Sequence, residues 1–339
     1  MQRFASAQKR AEPINADREI FEILRDEMRL VEAEFQRQAS SNIQVIDYLG
    51  DYLTASGGKR VRPALLILAN YAVGGDGSSE SVIRLATVME MLHTATLVHD
   101  DIIDNAKLRR NLPSLNAQHG NQTAVLMGDW LYMSAFETTA NERSLEIIDI
   151  LTRVTRKMTE GELIQLTRVG RLDISESEYF DILCRKTAYL FSACCEVGAI
   201  LAGASLAKQH ALRDYGMNLG IAFQLSDDLL DITAETENLG KLAGSDLLEG
   251  KVTLPIIQLL EAEPTLAPQL GKVMSRGDYG ELSREHLKQK LTDFDVFNRV
   301  KQQAQGYARS AKKSLAYLPP TAYRKCMEEI LSFVTNRKN

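Results

Sequence analysis

The sequence has little of several features that usually mark a protein class. Only 6% of its 339 residues are aromatic, and the net charge of −5 argues against nucleic acid or another general polyanion as a partner. Its cysteines, Cys184, Cys194, Cys195 and Cys326, show neither metal-ligand spacing nor a disulfide pattern. They are best interpreted as small core residues in a reducing compartment. No strand-like alternation, internal repeat or low-complexity linker marks a second domain.

Sequences of secretory or membrane proteins contain an apolar signal or span. The first ten residues are basic but lack an apolar run, so they predict no secretory signal. Residues 188–206 are nearly all apolar and about long enough to cross a bilayer. Glu196 lies in their middle among small side chains, which favours a buried central helix over a transmembrane segment. We therefore expect a cytoplasmic protein without a transmembrane segment.

Apolar residues recur instead at helical spacing along the chain. The pattern predicts an all-α protein of ten or more helices in one large bundle with a central cavity, spanning residues 1–339 as a single domain. Predicted helices include those at 17–38, 42–55, 63–73, 123–139, 144–168 and 211–232. Ser175 and Glu178 form a predicted capping box at the start of another helix.

Two acidic motifs lie within apolar helices. The first, in a helix beginning near Glu80, contains Asp100, Asp101 and Asp104; Asp100 and Asp104 share one face, and Asp101 points to the side. The second runs from Gln224 to Asp231 and includes Asp227 and Asp228 at helical spacing. A single motif of this kind is equally compatible with a solvated acidic face. Two copies, each followed by basic residues, indicate a shared metal–diphosphate site in which magnesium accepts carboxylate oxygens.

Cationic residues accompany both acidic motifs. Lys59 and Arg62 follow Gly57-Gly58 at a turn that opens a helix, where backbone N–H groups and guanidinium can bind phosphate. Arg109-Arg110 follows the first motif, and a segment containing Lys241 and Lys251 follows the second. Lys186 interrupts an apolar run, and a phosphate would supply the partner that a buried lysine requires. The combination predicts two anionic substrates, one bound through metal and one bound directly by Lys and Arg.

These motifs, in this order, resemble the trans-isoprenyl (polyprenyl) diphosphate synthases, most closely the bacterial long-chain, octaprenyl-type enzymes that supply quinone side chains. The resemblance extends from about residue 57 to residue 255. It rests on Gly-Gly-Lys-Arg-x-Arg-Pro, His-Asp-Asp-x-x-Asp, Arg-Arg, Glu-Gly-Glu, Lys-Thr, Phe-Gln-x-x-Asp-Asp-x-x-Asp and Asp-Leu-x-Glu-Gly-Lys. It implies a Mg²⁺-dependent prenyltransferase, with Mn²⁺ as a substitute, that condenses isopentenyl diphosphate with an allylic diphosphate. It also implies a homodimer.

The resemblance implies a role for each matching residue. Isopentenyl diphosphate would bind to Lys59, Arg62, His93 and Arg110. Metal on the allylic diphosphate would bind to Asp100, Asp101, Asp104, Asp227, Asp228 and Asp231. Oxygens of the allylic diphosphate would bind to Arg109, Lys186, Thr187, Gln224, Lys241 and Lys251. The released diphosphate would take the proton, so no side chain is assigned as a general base. Structural roles are expected for His99, His119, His210 and His286.

Product length depends on the side chains one and two turns before Asp100. Thr96 and Ala95 are small where short-chain enzymes of this family usually have a bulky aromatic residue, and Leu92 lies further down. We therefore expect a product longer than fifteen carbons, although small residues here could also serve only close helix packing. A deeper floor could come from the helix that contains Trp130, Met133 and Phe136.

Product length stays open, and two other classes fit less well. A geranylgeranyl or farnesyl diphosphate synthase would share every motif and differ only in product length. A class I terpene cyclase typically replaces the second acidic motif and needs no second diphosphate site. A non-catalytic subunit of a two-component synthase commonly loses acids, and both motifs are intact here.

Overall fold

The computed structural model describes residues 22–55, 57–109, 112–233 and 244–336. The helices are α1 (Arg25–Ala39), α2 (Gln44–Ala55), α3 (Val61–Ala72), α4 (Glu80–Ile103), α5 (Leu115–His119), α6 (Asn121–Asn141), α7 (Leu145–Leu166), α8 (Glu176–Leu183), α9 (Tyr189–Leu201), α10 (Leu206–Thr233), α11 (Ser245–Leu248), α12 (Leu254–Ala262), α13 (Ala267–Arg276), α14 (Arg284–Asp293), α15 (Val296–Ser314) and α16 (Ala322–Thr335). A π-helical turn, Cys184–Ala188, joins α8 to α9. The predicted all-α class is confirmed.

Several predicted boundaries needed correction. The loop after the first acidic motif contains a short antiparallel hairpin, β1 (Leu108–Arg109) with β2 (Leu112–Pro113). The second acid-bearing helix begins at Leu206 rather than at residue 211. The predicted capping box is present, because Ser175 Oγ accepts from the Glu178 N–H while the Glu178 carboxylate accepts from the Ser175 N–H. The first part of the predicted helix at 17–38 lies outside the described residues.

Helix α9 lies at the centre of the bundle, where it packs against α3, α7 and α10. Glycines on α10 allow close contact between α9 and α10. A methyl group on Gly216 would lie 2.5 Å from the carbonyl oxygen of Phe191, and one on Gly220 would lie 2.6 Å from Cα of Ala188. Any larger residue would separate the helices, so glycine is required for this close approach.

The apolar run at 188–206 is interrupted rather than continuous. Helix α9 has 13 residues, fewer than the roughly 20 that span a bilayer, and nine of them are buried. Within the described part of the chain, one helix is long and apolar enough to cross a membrane, and it is α4. Because 67% of its most apolar window is buried inside the bundle, its composition is that of a core helix.

Within the described ranges, the core consists of two hydrophobic clusters. One is built largely from α3, α4, α6 and α9, and the other from the second half of α10 with α12 to α15. Helix α10 contributes Leu219 to the first cluster and Leu225 to the second. Leu225 lies within the second acidic motif, so the aspartates of that motif are held by a helix that is anchored on both sides.

Candidate active site

The first acidic motif occupies the C-terminal end of α4. Asp104 is the C-terminal capping residue, and Asp100 lies one turn earlier. Asp101 is buried and points away from them toward the hairpin, as its position on the helix predicts. There Arg109 donates from Nε to both carboxylate oxygens of Asp101, at 2.8 Å each. Arg109 therefore neutralises Asp101 within the protein itself.

Burial raises the pKa of Asp100 to about 6. That pKa is the net result of burial, which raises it most, of Lys186, which lowers it, and of the charges of Glu162 and Asp104, which add to the rise. A carboxylate that is difficult to ionise in a cavity is a common feature of sites that bind a cation or take part in catalysis.

The second acidic motif lies on α10, and its three aspartates differ in environment. Asp228 and Asp231 are buried, while Asp227 is exposed at the cavity. Asp228 accepts from Gln224 Nε2 at 2.8 Å and from the Tyr179 hydroxyl at 2.5 Å. Burial and the neighbouring Asp246 raise the pKa of Asp228 to about 7, against these two hydrogen bonds.

Asp231 is held by the segment that follows the second motif. Ser245 Oγ donates to Asp231 Oδ1, and the Asp246 N–H lies against Oδ2, both at 3.3 Å. The N-terminal turn of α11 is therefore oriented by Asp231. This contact brings Asp246 close to Asp228. The sequence predicts no function for Asp246.

The two motifs meet at one cavity of about 570 Å³. Asp100 on α4 and Asp227 on α10 line it, and so do Lys186 and Gln224. The nominated cations Lys59 and Arg62 line the same cavity, together with His93. The predicted central cavity is therefore present in the structure, and both motifs converge there with the turn that the sequence predicts to bind an anion.

A second, smaller cavity of about 190 Å³ lies behind the π-helical turn. It shares Lys186, Thr187 and Gln224 with the larger cavity, and adds Asp228 and Lys251. Thr187 Oγ1 donates to Gln224 Oε1 at 2.9 Å, which leaves the Gln224 amide to donate to Asp228. The wall between the cavities is thus a hydrogen-bonded row of predicted site residues.

Three of the nominated phosphate ligands are paired with carboxylates. Lys251 Nζ lies 2.9 Å from Asp104 and 2.8 Å from Glu249, and Arg109 binds Asp101. Lys186 Nζ lies 2.6 Å from Glu162. We predicted phosphate as the partner of a buried Lys186; instead its side chain is about a quarter exposed and Glu162 already neutralises it.

Comparison with known proteins gives one consistent result. A family model described as polyprenyl synthetase matches residues 43–290. The chain is 37% identical over 309 residues to octaprenyl diphosphate synthase of Escherichia coli (strain K12), covering 91% of this chain and 95% of that protein. The chain belongs to the polyprenyl synthetase family. Its members' shared chemistry makes it a prenyltransferase of isoprenoid biosynthesis.

The chain is also similar to family members of different product length. It is 37% identical over 292 residues to geranylgeranyl diphosphate synthase of Methanosarcina mazei, covering 85% of this chain and 88% of that protein. The crystal structure of polyprenyl synthase from Caulobacter crescentus CB15, complexed with calcium and isoprenyl diphosphate, superposes with a TM-score of 0.89. That protein is 36% identical, with 96% of this chain and 98% of the other covered.

The carboxylates of this polyprenyl synthetase do not form a metal cage by themselves. Among the described residues, no group of three or more His, Cys, Asp or Glu side chains is arranged to hold a metal ion. Asp100 and Asp227 nevertheless offer hard oxygen ligands at one cavity. This arrangement fits an ion that takes few protein ligands and completes its shell with water and phosphate oxygens.

The nominated chain-length residues differ in position on α4. Thr96 lines the main cavity, while Leu92 and Ala95 are fully buried. A methyl group on Gly128 of α6 would overlap His99, so the face of α4 that includes His99 and Ala95 packs toward α6. On α6, Met133 is 62% exposed, whereas Trp130 and Phe136 pack against the core.

Other predictions met different outcomes. His99 lies 3.2 Å from the carbonyl oxygen of Val125, and His119 packs edge-on against Tyr48 and Tyr52, as structural histidines do. Arg110 and Lys241 lie outside the described residues.

Sequence reasoning missed residues that contact the predicted site residues and hold them in place. Glu162 belongs to the Glu-Gly-Glu motif and Asp246 to the Asp-Leu-x-Glu-Gly-Lys motif, but the sequence predicts no role for either residue. Tyr179 follows no pattern that distinguishes it from other helical tyrosines, and only the fold brings it to Asp228.

Proposed function

We propose that the protein condenses isopentenyl diphosphate head-to-tail with an allylic diphosphate to make a long-chain all-trans polyprenyl diphosphate, a quinone side-chain precursor. The convergence of Lys59, Arg62 and His93 with Asp100 and Asp227 on one cavity carries the proposal. Similarity to octaprenyl diphosphate synthase over most of both chains supports the long product.

Isopentenyl diphosphate is bound by the turn before α3. Lys59 is exposed, Arg62 is half-buried, and both lie beside the first turn of α3, where backbone N–H groups favour an anion. His93, on the adjacent face of α4, adds a third polar contact. Because these groups bind phosphate oxygens directly, this site needs no metal ion.

The allylic diphosphate lies against the acidic motifs. We propose Mg²⁺ ions, replaceable by Mn²⁺, each held by one or two carboxylates of the two motifs, which offer Asp100, Asp101 and Asp104 on α4 and Asp227, Asp228 and Asp231 on α10. The calcium and isoprenyl diphosphate in the C. crescentus structure support a divalent ion. When bound, such an ion neutralises charge on the diphosphate as it departs. Lys186 and Lys251 donate to the diphosphate oxygens after giving up their carboxylate partners.

The apolar part of the cavity protects the reacting carbons. Val61, Leu97 and Phe223 are apolar residues that line the main cavity. They exclude water while the allylic C–O bond breaks and the double bond of isopentenyl diphosphate attacks the cationic carbon. The released diphosphate accepts the proton that leaves the new product, so the side chains orient and shield the reactants without acting as a base.

A second candidate is geranylgeranyl diphosphate synthesis. It is favoured by similarity to the M. mazei enzyme, whose identity to this chain equals that of the octaprenyl enzyme. The small Thr96 at the main cavity instead favours a longer product, because it leaves space for the prenyl chain below the diphosphate end that reacts.

We further propose that residues 1–339 form one domain and that the enzyme is a cytoplasmic homodimer. The family match over residues 43–290 supports a single catalytic unit. Sedimentation of the purified protein tests the dimer.

One incubation tests the function. Labelled isopentenyl diphosphate is supplied with dimethylallyl, geranyl or farnesyl diphosphate, and the products are sized by chromatography. We expect chains longer than twenty carbons, and no turnover in excess chelator.

Asp100→Ala and Asp227→Ala should lower turnover by about 10²-fold or more without loss of helicity. Asp149→Ala, on the exposed surface of α7, should not lower turnover. Full activity in chelator would refute the proposed mechanism.

A further inference from the structure

Arg60 adopts an unusual backbone conformation between two nominated substrate ligands. Its φ of 45° and ψ of 39° place it in the left-handed region at the N-terminal cap of α3. A non-glycine residue adopts this conformation only when its surroundings hold it there. An arginine rather than a glycine occupies this position, and its side chain is buried, with only 5% exposed.

Acidic partners on two other helices, the half-buried Glu32 and the buried Glu90, hold the guanidinium. Nε and Nη2 of Arg60 donate to the two carboxylate oxygens of Glu32 on α1, at 2.6 and 3.1 Å. Nη1 donates to Glu90 on α4 at 2.9 Å, and the guanidinium lies 5.0 Å from the centre of the Phe35 ring. Burial by itself would lower the pKa of Arg60, but the two acids raise it overall.

These contacts connect Arg60 with the anion-binding wall of the main cavity. Lys59 and Arg62 flank Arg60, and Glu90 precedes His93 by three residues on α4, so the two side chains share one helix face. Glu90 itself lines the cavity, although only 4% of its side chain is exposed. Without a cation beside it, this carboxylate would repel a diphosphate at Lys59, Arg62 and His93.

We propose that Arg60 is a positioning residue for the isopentenyl diphosphate site, where it anchors the turn that presents Lys59 and Arg62 and cancels the charge of Glu90. This inference rests on the proposed function. Arg60 also borders the cavity, but its guanidinium hydrogen bonds go to Glu32 and Glu90, so it acts through its neighbours.

The test measures steady-state kinetics for each substrate separately. Arg60→Gln should raise the KM for isopentenyl diphosphate by roughly tenfold or more, because it leaves a buried carboxylate unpaired beside the bound anion. The KM for the allylic diphosphate should change less than twofold. Glu90→Gln should leave the KM for isopentenyl diphosphate unchanged or lower, and Arg60→Gln combined with Glu90→Gln should recover part of the loss.

A purely structural role for Arg60 predicts a different pattern. It predicts a lower melting temperature with both KM values unchanged, or equal rises for both substrates, and either result overturns the proposal. Failure of Glu90→Gln to recover any of the loss overturns the electrostatic part. Arg84→Gln is the matched control, because Arg84 also pairs with two acids, Glu80 and Glu142, but does not line the cavity.

Two further measurements keep the outcome decisive. If Arg60→Gln does not fold, Arg60→Lys replaces it, and a smaller rise in KM confined to isopentenyl diphosphate is expected; unchanged values overturn the proposal. The wild-type protein is assayed in parallel. Absence of prenyl products from the wild type would refute the proposed function, whereas wild-type turnover with unaltered Arg60 variants would refute only the role of Arg60.

Discussion

The hydroxyl of Tyr179 donates a 2.5 Å hydrogen bond to Oδ2 of Asp228, from a side chain that is itself buried. Helix α8 thereby orients a carboxylate of the second acidic motif on α10. Gln224 occupies the other oxygen of Asp228, so the carboxylate is held from both sides. Such supporting partners commonly tune the affinity of a metal ligand.

Removal of this hydroxyl should weaken metal binding. In Tyr179→Phe, we expect the half-saturating Mg²⁺ concentration to rise by about tenfold, because Asp228 loses a donor that orients it and stabilises its charge. Calorimetric titration of Mg²⁺ in the presence of inorganic pyrophosphate measures this effect without turnover. Tyr317→Phe is the control, since Tyr317 is 71% exposed. Equal affinities for the two variants would contradict the role of Tyr179.

Metal affinity should increase with pH over the range in which Asp100 and Asp228 ionise. Their pKa values are about 6 and about 7 in the protein without metal, so protons compete with the ion below these values. We expect Mg²⁺ affinity to rise between about pH 5.5 and pH 8. The rise in Mg²⁺ affinity near pH 7 should be absent from Asp228→Asn. If the rise persists in that variant, another group causes it.

Stability without metal should show the opposite trend. The folded protein retains the Asp228 proton up to about pH 7, whereas the unfolded chain releases it near the ordinary aspartate pKa of 3.8. The folded state therefore binds more protons in this interval, and the free energy of unfolding falls as pH rises through it. We expect a lower melting temperature at pH 7.5 than at pH 5.5, with a smaller difference in Asp228→Asn.

The two diphosphate sites should separate kinetically. Lys59→Ala or Arg62→Ala should chiefly raise the KM for isopentenyl diphosphate by about tenfold, because these cations contact it directly. Lys186→Ala should instead impair the allylic substrate. Lys313→Ala, at an exposed position of α15, controls for loss of a lysine. Equal effects of all three site variants on both substrates would exclude two distinct sites.

Product length should respond to bulk on α4 below Asp100. One helical turn, about 5.4 Å, is comparable with one extended five-carbon unit. Ala95→Phe or Thr96→Phe should therefore shorten the product toward fifteen or twenty carbons while condensation continues. Ala95 is fully buried, so its variant also tests whether the growing prenyl chain runs along the contact between α4 and α6. Met133→Phe, at an exposed position on α6, should leave the length unchanged.

If only Thr96→Phe shortens the product, the growing chain follows the main cavity that Thr96 lines. Unaltered length in both variants would remove the basis for a long product at this level of the helix. Product chromatography with a geranyl primer distinguishes these outcomes.

The sequence by itself determined the helical class and the chemistry of the site. Helical spacing of apolar residues is a local property, and so is the spacing that places Asp100 and Asp104 on one face while Asp101 points aside. Resemblance supplied the substrate ligands, and Lys59, Arg62 and His93 do line the cavity with Asp100 and Asp227. Helix bounds were less certain because Leu206 and the hairpin residues carry weak local signals.

Only the tertiary structure decided the partners of the charged residues. Lys251 lies 147 residues from Asp104 in sequence, and Arg60 lies 28 and 30 residues from its two acids. Local preferences contain no information about such pairs, because ion pairing at this separation depends on how helices pack. The structure also assigned Tyr179 to Asp228 and Glu162 to Lys186. The electrostatic balance of the site therefore emerges only when α1, α4, α8 and α10 are brought together.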